Sequence, residues 1–152
     1  MIVRLIVLVL LAQGQAGSPP TQAPQAPPKS PLFSARHLSC SFGLLATAVW
    51  KDMTPQVVSK TQDFTLQIDS IDTKKGTARI VSGNASAVVS MIVTQTGLNL
   101  VEKTRIGNLN VTTIFAAGGH NNVFLAVLSL HLGDLTGAPS VSQNYGTCEM
   151  PQ

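Results

Sequence analysis

Phe64, Leu66 and Ile68 alternate with Asp63, Thr65, Gln67 and Asp69. An extended chain sends successive side chains to opposite faces, so this stretch predicts a strand with one buried and one wet face. The same period of two recurs between glycine-bearing turns. Asp72-Thr73-Lys74-Lys75-Gly76 leads into residues 77–81, which pairs most simply as a hairpin, and Ser82-Gly83-Asn84 opens a valine-rich run over residues 85–94. Gln95-Thr96-Gly97 turns the chain into residues 98–103, and Gly107-Asn108 into residues 109–116, where Leu109, Val111, Thr113 and Phe115 share a face. The β-branched run Val111-Thr112-Thr113-Ile114 favours strand over helix.

After the Gly118-Gly119-His120-Asn121-Asn122 loop, residues 123–131 are mostly apolar on both faces and read as a well-covered central strand. Residues 38–50 supply the first strand or two, and no segment carries a helical stripe with a capping residue before it. The sum is an all-β, antiparallel fold of seven or eight short strands. Exposed edges are best removed by closure, and short turns join neighbours, so a small up-and-down barrel is expected, with a β-sandwich as the alternative. A sandwich needs a long crossing connection, and residues 132–152 are the one place for it.

The chain opens differently. Arg4, an apolar run over residues 5–12 and the small residues of Gly14-Gln15-Ala16 are the parts of a cleavable export signal, helical in its apolar part, over residues 1–16. A membrane span needs about 20 apolar residues, and Gln13 ends this run too early, so no stable membrane insertion is expected after cleavage. Residues 17–36, punctuated by Pro19, Pro20, Pro24, Pro27, Pro28 and Pro31, form a disordered proline-rich linker that buries too little surface to offset ordering. Residues 37–152 are the size of one domain. The destination is the periplasm or the medium.

Only two cysteines are present, Cys40 at the start of the first strand and Cys148 near the end of the chain. In an oxidising compartment they pair and clasp the two ends of the domain. Closing a loop of about 100 residues stabilises by up to ~4.7 kcal/mol in the chain-entropy view. No CxxC spacing exists, which argues against a metal.

The search for chemistry yields little. Net charge is +3 with Lys74-Lys75 the only adjacent basic pair, and aromatic residues are scarce, which sets nucleic acid aside as a partner. Ser129 and His131 sit two apart on a strand and share a face, the one arrangement that suggests a hydrolase, yet no third orienting group is evident. Asp69 and Asp72 read as turn chemistry rather than a calcium corner, and no metal or cofactor is expected. Asn84-Ala85-Ser86 and Asn110-Val111-Thr112 match the glycosylation acceptor pattern by chance. Trp50, His131 and the loop residues Gly118, Gly119, His120, Asn121 and Asn122 are the candidate contacts to a ligand or partner.

Gly76-Thr77-Ala78, Gly107-Asn108-Leu109-Asn110-Val111-Thr112-Thr113-Ile114-Phe115, Ser129-Leu130-His131 and Ser142-Gln143-Asn144-Tyr145-Gly146-Thr147-Cys148 together resemble uncharacterised exported small β proteins of Gram-negative bacteria. The resemblance covers most of the domain and implies export, but no activity; Leu130 stands where that pattern often has arginine. At the level of fold alone, the expected domain is similar to bacterial lysozyme inhibitors and lipocalin-like protease inhibitors. Apolar residues on both strand faces and few paired catalytic groups point to a non-enzymatic binding module for a small apolar molecule or a protein. The alternatives are a hydrolase using Ser129 and His131, and a structural protein of the cell envelope.

Overall fold

The computed structural model describes residues 30–104, 107–133 and 139–151. The export signal and residues 17–29 of the linker lie outside the described residues. Eight strands follow a short 3-10 helix at Pro31–Ser34: β1 (Leu38–Lys51), β2 (Thr54–Asp72), β3 (Thr77–Ser82), β4 (Ala85–Thr94), β5 (Gly97–Lys103), β6 (Leu109–Phe115), β7 (Val123–Leu132) and β8 (Ser140–Glu149). Each pairs antiparallel with the next, and β8 returns to β1, so the sheet closes on itself as a barrel. No connection crosses the sheet, which excludes the sandwich. Residues 140–149, within the one stretch where a sandwich's long connection could lie, are the closing strand.

The inward faces form two halves. Near the ends carrying Cys40 and Cys148 the interior is solid: Leu38, Phe42, Ile68, Leu98, Leu100 and Ile114 are each at most 1% exposed, and each contributes ~1.5–3 kcal/mol on burial. The 3-10 helix closes this end, with Leu32 fully buried and Ala35 nearly so. The folded unit therefore takes in residues 30–36, which composition assigns to the linker. Proline density hid the fact that Leu32 and Phe33 are large apolar anchors. Ser30 accepts from the Leu32 amide, Pro31 occupies the first turn where its missing N–H is not needed, and Ser34 Oγ donates to the Pro31 carbonyl.

A bulge in β2 holds that lid in place. Pairing with β3 shifts between Asp69 and Asp72, Ser70 takes a positive φ of 53°, and Ile71 turns into the core. The Ile71 amide donates to the Arg36 carbonyl, Arg36 Nη1 donates back to the Ile71 carbonyl at 2.9 Å, and His37 Nδ1 lies 3.1 Å from Asp69 Oδ1. The turn that follows is held by Asp72, whose carboxylate accepts from the Lys75 and Lys74 amides. The Lys75 amide bond is the main reason its pKa lies below the ordinary value, with burial opposing and the Lys74 amide adding to the effect.

Closure brings β1 and β8 together in a seam. Cys40 is directly opposite Cys148 and the two form a disulfide. A register shift between Phe42 and Leu44 bends β1 at Gly43, and Gly146 lies opposite Phe42. A Cβ on Gly146 would stand 1.9 Å from the Ser41 carbonyl oxygen, so only glycine lets the seam close this tightly.

The face shared by Leu109, Val111, Thr113 and Phe115 is the outer one, and β7, read as covered on both faces, is covered on one. Leu109 and Phe115 on β6 and Leu125 on β7 are exposed, while Thr112, Ile114, Phe124, Ala126 and Leu128 point inward. A single-walled barrel has nothing outside it, so an apolar outer face on β7 does not mean cover.

One edge survives closure. β2 pairs with β3 only over Gln67↔Val81 to Asp72↔Thr77, whereas its pairing with β1 runs from Thr54 to Ile68. The hairpin of β1 and β2 thus rises above the β3 and β4 wall, with Met53 92% exposed at its tip.

Two outcomes follow. Replacing Cys40 and Cys148 together by alanine should lower stability by about 2–5 kcal/mol, the usual cost of a native disulfide in a small domain, read as a lower urea midpoint with circular dichroism still showing β structure. Amide exchange along Thr54–Thr61 should alternate, slow where N–H bonds to β1 and fast where it faces the free edge, whereas Leu98–Val101 should be protected throughout.

Candidate functional site

Beyond the solid half, the inward side chains become small or polar and the barrel is hollow. A cavity of about 820 Å³ lies at the end away from the disulfide. Its deeper wall is apolar, with Leu45, Phe64, Leu66, Ile80, Leu128 and Leu130, and its rim carries Gln62, Ser82, Ser86, Glu102, Thr104, Asn110 and Ser142. Alternation explains the change. Leu98, Leu100 and Glu102 follow one another on the inner face of β5, as do Ile114, Thr112 and Asn110 on β6 and Cys148, Gly146, Asn144 and Ser142 on β8. Each strand climbs from an apolar floor to a polar rim.

The polar groups form three braces. Thr47 Oγ1 and Ser142 Oγ are 3.0 Å apart and tie β1 to β8. Gln62 Nε2 donates to Asn144 Oδ1, and Asn144 Nδ2 donates to the Leu128 carbonyl at 3.2 Å, so one chain of bonds links β2, β8 and β7. That donation to a carbonyl fixes which way the Asn144 amide faces. On the other side Asn110 Nδ2 donates to Glu102 Oε2 at 2.8 Å, across the β5 and β6 pairing that sets these residues opposite each other. Asn110 Oδ1 is buried and has no partner. Past Asn110 toward the open end, Asn108 is buried and accepts from the Gly133 amide at 3.1 Å, which ties the start of β6 to the end of β7.

Asn110 therefore has its side chain on the cavity wall, where a glycan has no room. Asn84 sits in the exposed β3 to β4 turn.

None of the contact candidates named from the sequence lines this cavity. Trp50 is opposite Pro55 near the tip of the β1 and β2 hairpin, on the face opposite to that of Leu45 and Thr47. His131 is exposed at the far end of β7, and Ser129 shares its outer face, because Leu128 and Leu130 hold the inner one. Gly118 to Asn122 lie at the disulfide end, beyond the solid core. There the loop has a backbone role: Gly118 has φ 82°, a Cβ on Gly119 would stand 1.9 Å from the Val123 carbonyl oxygen, and Asn122 accepts from the Met150 amide. The glycines are needed for a tight turn that ties down the chain after β8.

Sequence reasoning passed over Gln62, Glu102, Asn110 and Asn144. A signal was present for Gln62 and Glu102, which each end an apolar period-two face, but not for Asn110 and Asn144, whose faces are already polar or small. Among the described residues no three His, Cys, Asp or Glu side chains gather as a metal site, and no helix is long and apolar enough to cross a membrane. No family model matches the chain, and searches of curated proteins and of solved structures return no match.

Asn144→Ala should cost about 1–3 kcal/mol, because it strands the Gln62 amide and the Leu128 carbonyl in a half-buried wall. Urea denaturation of the variant against the parent measures this.

Proposed function

We propose that the chain is an exported, non-enzymatic binding module that takes a small amphipathic molecule into the hollow half of the barrel. The cavity carries this reading. Its volume of about 820 Å³ falls within the range of roughly 300–1,000 Å³ usual for small-molecule sites, and an apolar floor beneath a hydrogen-bonding rim suits a ligand with a tail and a head. Eight-stranded barrels of this kind have interiors able to hold one small ligand. The export pattern of residues 1–16 and a disulfide suited to an oxidising compartment support a periplasmic or secreted destination. The resemblance to exported proteins of Gram-negative bacteria points the same way.

A protein partner is the second reading, and the observation that favours it is the projecting hairpin, on which Val57 and Val58 are 68% and 64% exposed. Native mass spectrometry of the protein purified from its own host separates the two, as a retained small mass or a retained chain. For the cavity itself, a neutral naphthylamine fluorophore should bind at one site. Ala87→Trp, which pushes an indole into the hollow half, should weaken that binding at least tenfold, about 1.4 kcal/mol, with the melting midpoint little changed. Unaltered binding in the filled variant would remove the cavity from the account.

A further inference from the structure

The three braces on the cavity wall are not equivalent. Thr47 pairs with Ser142, and Gln62 donates to Asn144, which donates in turn to the Leu128 carbonyl, all neutral groups. The third brace differs in carrying a carboxylate, whose remaining lone pairs are free to accept. A carboxylate only accepts, so the bond to Glu102 Oε2 uses an Asn110 Nδ2 proton and turns Asn110 Oδ1 away, buried and unpartnered. Among the described residues Glu102 is also the only carboxylate on the wall. Among the same residues Lys103 is the only other charged one lining the cavity, and it is exposed at the rim.

Resting on the cavity reading above, we propose that the head group bound here is a primary ammonium, carried on an apolar tail that lies along Phe64, Leu66 and Leu128. An ammonium offers three N–H donors and a positive charge, which match the negative charge and free lone pairs of Glu102. A carboxylate head would meet Glu102 as a like charge. A hydroxyl head brings one donor and no charge, and a trimethylammonium head brings charge and no donor.

Four ligands with the same dodecyl tail test this by displacing the neutral fluorophore below their micelle concentrations: the primary amine, the alcohol, the carboxylate and the trimethylammonium. The amine should bind at least tenfold tighter than the alcohol and several-fold tighter than the trimethylammonium, with the carboxylate weakest. Glu102→Gln should bring amine and alcohol to within about twofold of each other while leaving the alcohol's affinity in place. Lys103→Gln should keep the preference for amine. Equal affinities for amine and alcohol, a tightest carboxylate, or an amine preference that survives Glu102→Gln would each overturn the ammonium site. Failure of all four ligands to displace the fluorophore would overturn the cavity reading, and the ammonium site with it. The ranking in the parent protein decides the matter even where Glu102→Gln does not fold.

Discussion

Pairing of β8 with β1 is the constraint on which the rest of this structure depends. It runs from Ser39↔Glu149 to Val49↔Ser140 and converts a meander with two open edges into a ring. The Cys40 to Cys148 bond sits in that seam, between strands 108 residues apart in sequence, so it fixes the one pairing whose loop-closure cost is largest. Gly146 allows the backbones to meet there. Had the seam stayed open, both edge strands would offer unpaired N–H and C=O groups to other chains.

Closure also explains why the interior is half solid and half hollow. Eight strands enclose a nearly constant width, so what fills it is decided by side-chain volume. At the disulfide end the inward positions carry Phe42, Ile68, Met91, Leu98 and Phe124, and the lid adds Leu32. Toward the other end the inward positions fall to Ser82, Ala87, Thr112 and Ser142. Small residues cannot reach the barrel axis. A cavity remains without any strand having moved apart.

This division decided what was legible in the sequence. Period two was plain wherever apolar residues faced a filled interior, as in Phe64, Leu66 and Ile68, and the all-β ring of short-turned strands followed from it. It faded where the inner face was polar. β8 presents Ser142, Asn144 and Gly146 inward and Val141 and Tyr145 outward, an inverted pattern that conceals a strand, and the first half of β2 has no core to face at all. The same inversion hid the cavity. Conspicuous residues such as Trp50, His131 and the Gly118-Gly119 pair drew attention as contacts, but the two glycines answer to backbone geometry and the other two lie on outer faces. The inconspicuous residues Gln62, Glu102, Asn110 and Asn144 sit where an apolar face turns wet, and that transition, rather than any motif, marks the site.

The walls of the hollow half differ in how firmly they are held. β2, β1, β8 and β7 are joined both by backbone pairing and by the interior bonds of Gln62, Asn144, Thr47 and Ser142, and β5 and β6 by Glu102 and Asn110. Between β2 and β3 no pairing exists above Gln67↔Val81, yet Phe64 and Leu66 on one side and Ser82 and Ala87 on the other all line the cavity. The breach in the wall is therefore the side at which the cavity meets the free edge of β2. Pro55 and Lys60 lie on that edge, residue types that discourage a second chain from pairing along it. The arrangement keeps an unpaired margin beside the cavity without making it a general site of association, and it places the least braced part of the barrel wall beside the hollow half.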